Sequence, residues 1–76
     1  MFPRISHDPE ILSGKACIRN TRLSVEFILE LIASGGTPEA IAKRYPEISA
    51  EDVVEAVRYA AFMLKNTAVY QTRAAG

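Results

Sequence analysis

The sequence predicts a mainly α fold, a three-helix helix-turn-helix core with an N-terminal β-hairpin. Three observations carry this. Apolar residues recur at helical spacing in two stretches, residues 25–32 and 53–64. Two helix starts, Thr37-Pro38-Glu39 and Ser49-Ala50-Glu51-Asp52, lie on either side of Tyr45-Pro46. Ile18 and Leu23 flank Arg19-Asn20-Thr21-Arg22 in mirror positions, a hairpin pattern whose Asn tolerates positive φ.

In chain order, residues 2–6 can form a short extended segment, and Asp8-Pro9-Glu10 a turn or a one-turn helix start. Ser13-Gly14 reads as a loop. Residues 17–19 and 22–23 are the expected hairpin arms, and Ser24 is a good N-cap for a helix beginning at Val25. The first helix is expected over residues 25–34, with Val25, Ile28, Leu29 and Ile32 on one stripe and Gly35-Gly36 ending it. The second is short, residues 38–44, with Ile41 and Tyr45 inward and Pro46 as its stop. Ile48 is placed to plug into the core. The third helix opens on a capping box in which Asp52 is the acid, and its expected buried stripe is Val53, Val57, Ala60, Ala61 and Leu64. Residues 1–65 thus form one helix-turn-helix domain with its hairpin, and residues 66–76 a C-terminal tail without sustained periodicity.

Bulk properties narrow the function. A chain of 76 residues, 49% hydrophobic, has a marginal core, so association with a second copy is the expected state. Formal net charge is zero, so there is no global basic signature for nucleic acid. The charge is uneven: residues 1–22 hold four basic and two acidic side chains, residues 23–76 five basic and seven acidic. A polyanion would prefer the N-terminal part. One cysteine, Cys17, excludes an internal disulfide and suits a reducing compartment. No leader-like segment or membrane-length apolar run is present, so a cytoplasmic location is expected. A single histidine and a single cysteine cannot close a zinc site of roughly four ligands, and no cofactor is expected. Nor is an enzyme: His7-Asp8 has no nucleophile or third member beside it.

With its motifs in order, the chain resembles a family of small prokaryotic proteins, the domain of unknown function numbered four-three-three. Its members carry Gly-Lys-Pro-x-Ile-x-Gly-Thr-Arg-Ile-x-Val, then a helix, Gly-x-(Thr/Ser)-Pro-Glu-x-Ile, Tyr-Pro, and (Leu/Ile)-(Thr/Ser)-x-x-Asp-(Val/Ile). Here these are residues 14–25, Gly36-Thr37-Pro38-Glu39-Ala40-Ile41, Tyr45-Pro46 and Ile48-Ser49-Ala50-Glu51-Asp52-Val53. Ala16 replaces the Pro, which loosens the approach to the first arm, and Asn20 replaces the Gly, which preserves the turn. The resemblance implies a VapB-like antitoxin that binds a PIN-like ribonuclease toxin and a helix-turn-helix that binds the shared operator.

Each candidate contact residue has a plainer alternative. Lys15, Arg19 and Arg22 would meet phosphate or an acidic protein surface, or else form salt bridges to Asp8 or Glu10. Thr21 would join them, or simply build the turn. Lys43 and Arg44 are candidates for DNA, although a helix C-terminus favours them on its own. On the third helix, Arg58 would face DNA, but Glu51 and Glu55 lie on the same face and repel phosphate. Tyr59, Phe62 and Met63 lie off the expected core stripe and are candidates for a homodimer or partner interface. In the tail, Val69 and Tyr70 would anchor on the toxin, or else pack on the protein's own first helix or pair as an edge strand in the dimer. The toxin resemblance adds Arg73 as a competitor for the nuclease's metal-binding carboxylates.

Overall fold

A computed structural model describes residues 1–66 of the chain. Two three-residue strands open the fold, β1 (Ile5–His7) and β2 (Ala16–Ile18). Three helices come after them: α1 (Val25–Ala33), α2 (Pro38–Arg44) and α3 (Ala50–Lys65). The mainly α fold with an N-terminal antiparallel β-hairpin is therefore what the chain adopts.

Each helix begins and ends for local reasons. Ser24 Oγ accepts from Phe27 N–H at 3.0 Å, and Thr37 Oγ1 accepts from Ala40 N–H at 3.1 Å. Ser49 and Asp52 form a reciprocal capping box: Ser49 Oγ accepts from Asp52 N–H at 3.1 Å and Asp52 Oδ2 from Ser49 N–H at 2.9 Å. Gly35, at φ 100°, closes α1 in a Schellman motif, with Gly36 N–H donating to Leu31 O and Gly35 N–H to Ile32 O, both at 2.9 Å. Gly36 is needed as well, because a Cβ there would lie 2.9 Å from Leu31 O. Pro38 occupies the first turn of α2, and Lys43 and Arg44 its last.

The core joins all the layers. Ile18 from β2, Val25 and Ile28 from α1, Ile41 from α2, Ile48 from the α2–α3 turn, and Val53 and Ala56 from α3 form one buried cluster. Phe27 and Tyr45 meet edge-on beside it, with ring centres 5.7 Å apart.

Two sequence expectations change in detail. The hairpin is not built from two arms around Asn20-Thr21. Its ladder pairs β1 with β2, Ile5 opposite Ile18 and His7 opposite Ala16. The 18–23 segment does turn back, but contributes only a single bridge, Cys17 to Ser24, because Leu23 runs directly into the helix cap. The connection between the strands contains Leu12, Ser13 and Gly14, all at positive φ. A leucine there carries some backbone strain.

The second change concerns α3. Val53 is buried as expected and Ala60 packs against the core, but Val57, Ala61 and Leu64 are exposed and Ala56 takes their place. The buried face is rotated by roughly 60°, at about 100° per residue. The cause is residues 2–7, which pack on the Asp52–Glu55–Tyr59 side of the helix and draw it inward. The last turns of α3 also run past the end of the core, leaving residues 61–65 exposed.

Candidate functional site

The segment joining β2 to α1 holds two arginines at an exposed tip. Ile18 N–H donates to Leu23 O at 2.9 Å, and Thr21 N–H donates to Ile18 O at 3.1 Å. Thr21 tightens this turn with its hydroxyl, which donates to Ile18 O at 2.8 Å and accepts from Leu23 N–H at 3.0 Å. The candidate contact residue Thr21 is thus used by the fold. Asn20 takes φ 66°, the left-handed turn position. Arg19 and Arg22 are both exposed, and neither has an ion pair among the described residues.

The other N-terminal cations are engaged. Lys15 Nζ lies 2.8 Å from Glu26 Oε1, at the start of α1. The bond raises the Lys15 ammonium pKa and lowers that of the Glu26 carboxyl. Its partner is Glu26, not Asp8 or Glu10. Arg4, which stands out in the sequence only as a charge, is the most connected of the four. Its Nη1 is 3.0 Å from Asp52 Oδ1, its Nε 3.5 Å from Glu55 Oε1, and its backbone N–H donates to Glu55 Oε2 at 2.6 Å. Part of the charge imbalance between the chain's two parts is therefore spent inside the molecule. The imbalance itself was the one available signal for such contacts, since strand 5–7 had no visible partner.

Asp52 joins the cap of α3 to Arg4. Burial alone would raise its carboxyl pKa. The hydrogen bonds from the Ser49 backbone and the Arg4 and Ser49 side chains, with the Arg4 charge, outweigh burial and hold it below the ordinary value. Cys17 goes the other way: burial raises its thiol, and Arg22 and Lys15 oppose this only in part. A buried, protonated thiol is a packing residue and not a nucleophile.

The outer face of α3 carries mixed charge. Arg4, Glu39, Ala50, Glu51, Val54, Glu55 and Arg58 surround an open depression of about 380 Å³. Arg58 therefore shares its surroundings with three carboxylates. Lys43 and Arg44 are exposed at the C-terminus of α2, away from that group.

The aromatic flank of α3 is largely occupied by the chain's own N-terminus. Phe2 meets Tyr59 edge-on and Phe62 at a tilt, both with ring centres 5.4 Å apart. Tyr59 Oη shares a 3.0 Å hydrogen bond with His7 Nε2. Phe62 keeps 38% exposure and Met63 47%. Val69, Tyr70 and Arg73 lie outside the described residues.

Among the described residues, no three His, Cys, Asp or Glu side chains converge as a metal site, and no helix is long and apolar enough to cross a membrane. The sequence matches the family described as Protein of unknown function (DUF433) over residues 5–60. The match spans β1 through most of α3, and the chain belongs to this family. No curated protein and no solved structure matches the chain.

Proposed function

We propose that this DUF433 protein is the non-catalytic antitoxin of a type II toxin–antitoxin pair, binding and neutralising a PIN-like ribonuclease. The observation that supports the reading is the β2–α1 turn. Its two exposed arginines have no acidic partner among the described residues, while Arg4 and Lys15 are both paired. A PIN-like nuclease holds its metals with a cluster of carboxylates, and a guanidinium fork is suited to carboxylate oxygens. The protein would act in the cytoplasm, where the lone Cys17 remains reduced.

The test is co-expression with a PIN-like nuclease encoded beside this gene. The wild-type chain relieves the growth arrest and co-purifies with the nuclease. Arg19→Ala with Arg22→Ala loses both effects and keeps the wild-type melting temperature. Full relief by the double variant would show that another surface carries the contact.

A second reading, a protein-interaction module without DNA binding, draws support from the first turn of α3. Glu51, Asp52 and Glu55 lie at the end of α3 that would enter the major groove, and Glu51 and Glu55 line the depression there. Operator band shifts at low salt test it: an antitoxin that also autoregulates its operon forms a sequence-specific complex, and the module forms none.

A further inference from the structure

One flank of α3 carries a heptad seam with nothing from residues 1–49 closing over its C-terminal half. Ala50, Val54, Val57, Ala61 and Leu64 are spaced four, three, four and three residues apart, the alternation of d and a positions in a coiled coil. At about 100° per residue they share one stripe, roughly 100° round from the buried face of Val53, Ala56 and Ala60. Ala50 and Val54 are half-buried; Val57 is 38% exposed, Ala61 exposed, and Leu64 76% exposed. On the solvent side of this stripe, at the e positions, stand Glu51, Arg58 and Lys65.

We propose that α3 pairs antiparallel with α3 of a second copy along this seam, about a two-fold axis at Val57. The antiparallel choice rests on charge and size together. Turning the helix about Val57 brings Glu51 within two residues' rise of Lys65 of the other copy, a gap their long side chains span, twice over by symmetry. It also sets Ala50 opposite Leu64 and Val54 within one residue of Ala61, so each large side chain meets a smaller one. A parallel pair would set Glu51 against Glu51, Lys65 against Lys65, and Leu64 against Leu64, with a gap between the two Ala50 residues. The axis brings the two Arg58 guanidiniums near each other, a cost their long stems relieve by turning outward.

The seam is a different surface from the Arg19–Arg22 turn, so pairing and toxin binding succeed or fail separately. It also differs from the Phe62 flank, which Phe2 already covers in part. Because the seam and its flanking charges occupy the outer side of α3, the paired helix cannot also lie in a DNA major groove.

Sedimentation or light scattering on the full chain at high micromolar concentration gives twice the 8.4 kDa chain mass. Val57→Asp returns the mass to that of one chain, because two carboxylates meet at the axis, and leaves the circular-dichroism melt unchanged at a dilution where the wild type is also monomeric, because the core is untouched. Glu51→Lys weakens association, Glu51→Lys with Lys65→Glu restores it, and Arg58→Ala tightens it. The charge-swap pair carries the test if Val57→Asp fails to fold. A wild-type monomer, including one whose own tail covers the seam, overturns the proposal. So does a doubled mass retained by folded Val57→Asp, or a double swap that rescues nothing.

Discussion

The two flanks of α3 differ in chemistry and meet different fates. On one, Asp52, Glu55, Tyr59 and Phe62 are met by Phe2, Arg4 and His7 through two ion pairs, ring contacts and hydrogen bonds from the Arg4 backbone to Glu55 and between His7 and Tyr59. On the other, Val57, Ala61 and Leu64 face outward. The first is charged and aromatic and the second aliphatic, and what covers the first is the N-terminal segment. A strap with one arginine and one phenylalanine reaches the first flank and turns it inward, so the second is left at the surface. In a domain this small, a few residues outside the helical core decide which face of its longest helix becomes interior.

The largest effect should come from removing the residue where the covered flank is most engaged. Tyr59→Ala loses the Phe2 contact and the His7 hydrogen bond, and should cost about 2 kcal/mol, less than a fully buried aromatic. Val57→Ala, on the open flank, should stay within about 0.5 kcal/mol. Urea melts of the two variants under conditions where the protein is monomeric make the comparison. Equal losses would mean that the flanks are not distinct.

Next in size is Asp52→Ala, which removes the capping acid and the carboxylate on Arg4, at about 1–2 kcal/mol near neutral pH. Because the folded carboxyl pKa is lowered, this stabilisation is present above the ordinary value of 3.8 and is lost as pH falls through the lowered value. The stability difference between wild type and Asp52→Ala should therefore shrink in acid and be constant above about pH 5. A gap that widens on acidification would assign the stabilisation to another group.

The smallest effect belongs to the exposed Lys15–Glu26 pair. Lys15→Ala should leave the thermal melting curve where it is, since exposed pairs on flexible side chains are screened. A clear downward shift would make Lys15 a second strap between the hairpin and the helices.

Elements governed by local chemistry were legible in the sequence. The span of α2 and the start of α3 agree with the caps and stop signals, because Thr37, Ser49 and Pro46 act on neighbours a few residues away, and α3 ends at Lys65, where the helical periodicity runs out. The glycine pair ended α1 as the residue types require. Contacts across the chain were not legible. The partner of β2 is β1 and not the segment after Asn20, and nothing local to residues 5–7 announces that pairing. Arg4 reaches Asp52 and Glu55 across most of the chain, and no local pattern announces that the N-terminal segment covers this side of α3. At the candidate surfaces, the exposure of Arg19 and Arg22 agreed with their place in a turn. Thr21 builds the turn through neighbours two and three residues away, one of the two roles its position allowed, whereas the engagement of Lys15 and Tyr59 depended on neighbours the spacing could not name.

The central claim is that α3 has one flank closed by its own N-terminus and one open to a second copy. Side-chain oxidative footprinting across a concentration series tests it directly. Modification of Val57 and Leu64 should fall as concentration rises, while that of Phe2 and Tyr59 stays level. Protection of Phe62 with concentration, with Leu64 unchanged, would place the contact on the aromatic flank and contradict the account.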